Sequence, residues 1–343
     1  MSERCIIIAE AGVNHNGDIE IAKELVRLAA EAGADYVKFQ TFSADKLVTR
    51  TAEQAEYQKK NLQSEKNASQ YEMLKKLELS REDHYELIRT CNYYGIKFLS
   101  TAFDNENLEF LVKDLDVDFI KIPSGELTNY PYLCLAASLN KPIILSTGMA
   151  TLDEIIESVD LLKKLGVSTD SLYILHCTTE YPALISEVNL NAMETIQKAT
   201  GCRVGYSDHT MGIDVSIAAA ALGAAVIEKH FTLDRSMIGP DHRASLQPEE
   251  LKQLVIAVRN VQRALGNGVK QLASARERGN KTAARKSIVA ACDIRAGEIF
   301  TEQNLTTKRP GTGISPMKWP VLIGKTATRD YQENELIDEE ISQ

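Results

Sequence analysis

The chain has 343 residues, and 39 Lys+Arg against 48 Asp+Glu leave a formal net charge of −9. A hydrophobic share of 44% and a charged share of 25% describe a globular protein with ample chain for a large core. The acidic balance argues against a nucleic-acid binder, which carries a basic field, so a small anionic substrate requires a locally basic site.

In chain order, the first predicted strand is Cys5–Gly12. It reaches Glu10 and Asn14 too soon to read as a secretory signal. An amphipathic helix follows at Ile19–Ala32, closed by Gly33 where a left-handed cap is needed. Further apolar runs at Tyr36–Phe42, Ile96–Phe103, Phe119–Glu126, Pro142–Met149, Leu172–Thr178, Arg203–His209 and Val226–Thr232 read as strands buried on both faces. Helical stretches such as Asp83–Tyr94, Leu152–Leu165 and Pro248–Leu265 alternate with them, and Gly95 and Gly166 mark two more helix ends. This alternation predicts an α/β fold, a closed (β/α)8 TIM barrel over residues 1–265. A doubly wound open sheet is the alternative, but no GxGxxG follows the first strand.

Residues Ser43–Ser80 form a long, polar, helix-prone insertion after the second strand, with Ala52–Asn61 and Gln70–Leu77 as its helical parts. Loops after barrel strands lie on the face where active sites form. Beyond Leu265, residues 266–285 are polar and basic and read as a linker. Residues 286–343 read as a small C-terminal domain of short strands and turns. They carry a faint repeat, Asp293–Glu302 against Asp330–Glu339, in which Gly297 and Asn334 take equivalent places and both tolerate positive φ. No apolar run is long enough to span a membrane. The six cysteines (Cys5, Cys91, Cys134, Cys177, Cys202, Cys292) contain no CxxC pair, so reduced thiols and a cytoplasmic location are expected.

Polar residues cluster at the C-terminal end of every predicted strand, where a barrel brings them to one mouth. They include Glu10, Lys38, Gln40, Thr41, Ser100, Thr101, Lys121, Ser124, Glu126, Ser146, His176, Thr179, Tyr181, Ser207, Asp208, His209, Glu228, Lys229 and His230, with Asp241 just beyond. Buried charges cost several kcal/mol each without partners, so such a set is hard to explain as packing. Lysines with hydroxyl neighbours suit a phosphate or carboxylate. His209 and His230, ending neighbouring strands, either hold a divalent metal or include a general base. Glu10, Glu126 and Asp241 are available for acid–base work or for sugar hydroxyls.

The strings that hold these residues, among them Ala9–Gly17, Val37–Thr41, Leu99–Phe103, Lys121–Glu126, Ser146–Met149, His176–Pro182, Gly205–His209, Glu228–Thr232, Gly239–Asp241 and Lys308–Gly311, resemble the bacterial sialic acid synthase family over nearly the whole chain. The resemblance implies a TIM barrel followed by a small antifreeze-like (SAF, β-clip) domain. It implies a transferase that joins phosphoenolpyruvate to an N-acetylated hexose, and a homodimer in which the small domain caps the partner's barrel. It also implies a divalent metal, Mn2+ with Mg2+ or Co2+ as alternatives, held by His209 and His230. Lys38, Thr101, Lys121, Ser124 and Ser207 match the phosphoenolpyruvate site, and Ser146 is expected among the substrate-binding residues; Thr179 stands where some members have Asn. Gln40, Glu126, Tyr181, Asp241 and the C-terminal Arg309 match sugar contacts, and Glu10 matches a carboxylate near the reacting carbons.

N-acetylmannosamine, giving N-acetylneuraminic acid, is the leading expected acceptor. A 2,4-diacetamido-2,4,6-trideoxyhexose, giving legionaminic or pseudaminic acid, is the alternative, and the residues facing the difference are expected to include parts of the Ser43–Ser80 insertion. A non-catalytic binding protein is the third reading, disfavoured by the intact polar mouth.

Overall fold

The computed structural model describes residues 4–62, 69–271 and 274–338. The chain divides into two compact units, 1–267 and 268–343.

In the first unit eight parallel strands close on themselves in sequence order. They are β1 (Ile6–Gly12), β2 (Tyr36–Thr41), β3 (Lys97–Ala102), β4 (Ile120–Ile122), β5 (Ile143–Ser146), β6 (Leu172–Cys177), β7 (Arg203–Asp208) and β8 (Val226–His230). β1 pairs with both β2 and β8, which completes the ring. The helices form where the sequence supplies start and stop signals. Asp18 caps Ile19–Ala32, and Gly33 ends it at φ 83°. Ser80 with Asp83, and Thr151 with Glu154, form capping boxes at Arg81–Tyr94 and Leu152–Lys164.

Some strands are shorter than the apolar runs suggest. β4 stops at Ile122 because Pro123 has no N–H to give the ladder, and Ser124–Glu126 turns as a 3-10 helix. The insertion carries helices at Ala44–Leu47, Glu56–Leu62 and Gln70–Lys75. The part of Ser43–Ser80 from 63 to 68 lies outside the described residues.

Strand alternation builds the site. Side chains two apart share a face, and Ile8, Tyr36, Leu99, Ile144, Leu175 and Val226 form a buried apolar floor inside the barrel. Two residues further along the same strands stand Glu10, Lys38, Thr101, Ser146, Cys177 and Glu228, all buried. The outward-facing positions pack on the helices in the largest core, with Ile7, Val37, Phe39, Leu145, Ile174 and Ile227 among them.

The second unit departs from the linker reading of 266–285. Ala275–Ala284 is a helix whose cap is Ser274, in a stretch of Ala, Arg, Lys and Glu that favours helix. Beyond it, β9 (Ser287–Ala290) pairs antiparallel with β10 (Leu305–Lys308) over a small core of its own. The sequence repeat is a structural one. Ile294 and Tyr331 exchange backbone hydrogen bonds of 2.8 Å in both directions. The Asp293 carboxylate accepts from the Glu333 N–H at 2.9 Å, and the Asp330 carboxylate accepts from the Ala296 N–H at 2.7 Å. Gly297 and Asn334 occupy matching left-handed positions at φ 90° and 73°.

Candidate active site

A cleft of about 360 Å3 opens at the C-terminal mouth of the barrel. Its floor is a charged network. Lys38 Nζ lies 2.5 Å from Glu10 Oε2 and 3.6 Å from Glu228 Oε2, and donates to Thr101 Oγ1 at 2.8 Å. Lys121 Nζ donates to Ser146 Oγ at 2.8 Å and lies 3.6 Å from Glu228 Oε1, which also accepts from Ser207 Oγ at 2.9 Å. Two ammonium groups two strands apart are thus joined through Glu228.

Burial pulls the Lys38 ammonium down, but Glu10 and Glu228 outweigh it and hold its pKa above the ordinary value. Lys121, paired with Glu228 at 3.6 Å and, among the described residues, with no carboxylate as near as Glu10 is to Lys38, is lowered by its burial. Burial raises the Glu10 carboxyl to about 7 despite Lys38. Burial also pushes Glu228 upward, yet Lys121 and Lys38 prevail and bring it to about 2.

Beside the lysines, the Gly148 N–H donates to Ser124 Oγ at 2.9 Å, and Ser124 Oγ lies 3.5 Å from Cys177 Sγ. Thr179 Oγ1 is buried with no hydrogen-bond partner. A Cβ at position 148 would stand 2.0 Å from that Thr179 hydroxyl and 2.9 Å from the Ser124 hydroxyl, so only glycine allows the three to converge.

His209 and His230 face each other with ring centroids 5.6 Å apart, and Tyr181 stacks against His209 at 4.2 Å. His209 Nδ1 is 2.6 Å from the Thr178 carbonyl, which makes it the donor and presents Nε2 as the lone-pair nitrogen. His230 Nδ1 is buried without a partner. Burial lowers the pKa of both rings, so both are neutral and have electron pairs to offer. Two such imidazoles fit a divalent cation. Among the described residues no group of three or more His, Cys, Asp or Glu is arranged to hold a metal, so a cation here would take two protein ligands and fill its shell with water and substrate oxygens.

Above the floor, Gln40 reaches Glu10 Oε1 at 3.5 Å, Tyr57 stacks on Tyr181 at 4.9 Å, and Glu126 accepts from the Asn129 amide at the rim. Asp241 is buried in the cleft, and that burial raises its carboxyl to about 6. Glu10, Lys38, Gln40, Thr101, Lys121, Ser124, Glu126, Ser146, Thr179, Tyr181, Ser207, His209, His230 and Asp241 all line this cleft. Arg309 does not; it lies exposed in the second unit, where its Nε donates to the Ala284 carbonyl at 3.0 Å.

Other polar strand residues point outward. Thr41 Oγ1 bonds to Ser100 Oγ at 2.6 Å and to His84 at 2.7 Å behind the sheet. Asp208 and Lys229 form a fully buried pair at 3.1 Å on the same outer side. Of the inward residues, Glu228 stands in the polar set at the strand ends without an assigned role, and site reasoning passes over Cys177 and the insertion's Tyr57. Strand register supplies the missing signal, since Glu228 is two residues from His230 and shares its face.

A buried, charged cleft at the C-terminal mouth of a closed (β/α)8 barrel defines an enzyme site. Residues 25–270 match the NeuB family and residues 285–340 match the SAF domain. The chain belongs to the NeuB family of phosphoenolpyruvate-dependent nonulosonic acid synthases, enzymes that form carbon–carbon bonds.

Among its relatives, the N,N'-diacetyllegionaminic acid synthase of Campylobacter jejuni is 53% identical, covering 98% of this chain and 100% of that protein. The enzyme of the same name from Legionella pneumophila is 50% identical, covering 94% and 90%. The human N-acetylneuraminate-9-phosphate synthase is 38% identical, covering 98% and 92%. A solved structure of an N-acetylneuraminic acid synthetase from Leptospira borgpetersenii matches with a TM-score of 0.70 at 32% identity, covering 81% and 90%.

Proposed function

We propose that this chain is an N,N'-diacetyllegionaminic acid synthase, condensing phosphoenolpyruvate and water with 2,4-diacetamido-2,4,6-trideoxymannose and releasing phosphate. The carrying observation is the identity of 53% and 50% to two synthases of that name, against 38% to an N-acetylneuraminate-9-phosphate synthase. This replaces N-acetylmannosamine, the acceptor that leads from sequence motifs alone. Many of those motifs lie on the floor of the cleft, which in this reading handles the phosphoenolpyruvate common to every acceptor.

The floor explains the shared half of the reaction. Lys38, Lys121 and the hydroxyls of Thr101, Ser124, Ser146, Thr179 and Ser207 hold the carboxylate and phosphate in register. Glu10 and Glu228 keep the lysines charged and fixed before the anion arrives. C3 of phosphoenolpyruvate bonds to C1 of the open-chain acceptor, whose aldehyde oxygen takes a proton. A water oxygen bonds to C2, and Glu10, buried beside Lys38, takes that water's proton in preference to Glu126 at the rim. The C2–O bond to phosphate then breaks as the C2 hydroxyl gives its proton to the departing phosphate and the ketone forms, and the proton that Glu10 took from the water passes to the oxygen at C1.

His209 and His230 would hold a divalent cation, Mn2+ in this reading, which would supply Lewis-acid polarisation of the acceptor carbonyl. Gln40, Glu126, Tyr181 and Asp241 orient the sugar. Arg309 completes a partner's cleft in a homodimer, and the six unpaired thiols suit work in the cytoplasm.

The test is phosphate release with the two acceptors side by side. A kcat/KM at least tenfold higher for the diacetamido-trideoxy sugar than for N-acetylmannosamine supports the assignment; the reverse order overturns it.

A further inference from the structure

The cleft has a second character that the floor chemistry does not use. Phe42, Leu47, Val48, Met73, Leu74 and Leu77, all but Phe42 from the insertion, line it on one side. They belong to one apolar cluster that also takes in Val13 and Phe103. Phe42 and Phe103 follow β2 and β3, two to four strands round the eight-stranded ring from β8 and β7, so they stand away from the edge of the mouth that carries His230 and His209, while Val13 follows β1 beside β8. Leu47 and Val48 are only half-buried, so this surface faces the cleft as well as the insertion's own core. These side chains offer no strong hydrogen-bond donor or acceptor to a ligand.

We propose that this wall receives the far end of the acceptor and selects a sugar whose terminal carbon is a methyl group. The inference rests on the synthase reading above and adds the specificity surface to it. An acceptor with C1 at the histidines reaches across the mouth, and its last carbon meets hydrocarbon. A methyl there is removed from water at no polar cost. A hydroxymethyl set against these side chains loses its water hydrogen bonds and finds no replacement on them; the insertion's Tyr57, Gln58 and Gln70 also line the cleft but lie outside this apolar cluster. An apolar pocket rejects an added hydroxyl only moderately, so the expected preference is about 10- to 100-fold in kcat/KM.

The experiment compares 2,4-diacetamido-2,4,6-trideoxymannose with its 6-hydroxy counterpart, 2,4-diacetamido-2,4-dideoxymannose. It uses the wild-type chain, Val48→Thr and Met73→Gln. Val48→Thr is nearly isosteric at a half-buried position, and melting temperatures verify that both variants fold. The wild type should prefer the 6-deoxy sugar by that margin, and the variants should cut the preference about tenfold as the 6-hydroxy sugar gains. If the wild type uses both sugars equally, or if both folded variants keep the preference within twofold, the wall is not the selector and the synthase assignment stands. If neither diacetamido sugar is consumed while N-acetylmannosamine is, the acceptor assignment falls and the wall proposal with it.

Discussion

Lys38 ties three cleft groups together, holding Glu10 at 2.5 Å, Thr101 at 2.8 Å and Glu228 at 3.6 Å. Lys38→Met keeps most of the volume and removes the charge. Glu10, already raised to about 7 by burial, then loses its main opposing cation and moves further towards the neutral acid. Phosphate-release kinetics should show kcat/KM for phosphoenolpyruvate falling about 100- to 1000-fold, the scale of losing one preorganised donor to a reacting anion. An unchanged kcat/KM would remove Lys38 from the anion site. The residue types of this floor are legible in the sequence, because two buried lysines and a set of hydroxyls need a common partner. Which neighbour points inward is not. Glu228 and Lys229 are adjacent, and only the register of β8 sends one into the cleft and the other to Asp208 behind the sheet.

At the scale of elements, the barrel is the most legible part of the chain. Strands covered on both faces must be apolar throughout, and eight such runs separated by capped helices leave little choice of fold. The insertion is legible in part: helices fall on the two expected stretches and Ser69 caps Gln70–Lys75, but the packing of Met73, Leu74 and Leu77 with Phe42 that holds them depends on the tertiary fold. The turn after β5 matters most for binding. Gly148 brings its N–H to Ser124 and leaves space for the Thr179 hydroxyl. Gly148→Ala should displace that turn and raise KM for phosphoenolpyruvate at least tenfold, with kcat changed less and a melting temperature a few degrees lower. Titrating phosphoenolpyruvate at saturating acceptor checks this, and an unchanged KM would place the turn outside the anion site.

For the molecule as a whole, the net charge of −9 describes the surface and says little about the cleft floor, where Lys38 and Lys121 are set against Glu10 and Glu228. Acid stability is a property of the whole chain. His15 and His242 are lowered to about 4 by burial, and His84 and His176 are lowered by the same cause. Each stays neutral in the folded chain but takes a proton below about 6.5 when unfolded, so stability falls as pH drops from about 6.5 towards 4. Glu10 and Asp241, raised by burial, act in the opposite sense, but the four histidines outnumber them. Melting temperature should therefore decline across that window. His15→Asn, whose amide oxygen can still accept from the Gly17 N–H that His15 Nδ1 now binds, should flatten the decline by up to about 1.4 kcal/mol per pH unit. An equally steep decline in the variant would exclude His15 as a contributor. The second unit has a different logic. Asp293 seals the turn at Glu333, and Asp330 seals the turn at Ala296. Each copy closes its own turn through a backbone bond, Glu298 N–H to the Arg295 carbonyl and Glu335 N–H to the Gln332 carbonyl, and braces the other copy through its aspartate. The two copies are therefore reciprocal within one polypeptide, and a chain cut between them would take from each turn the carboxylate that the other copy lends it.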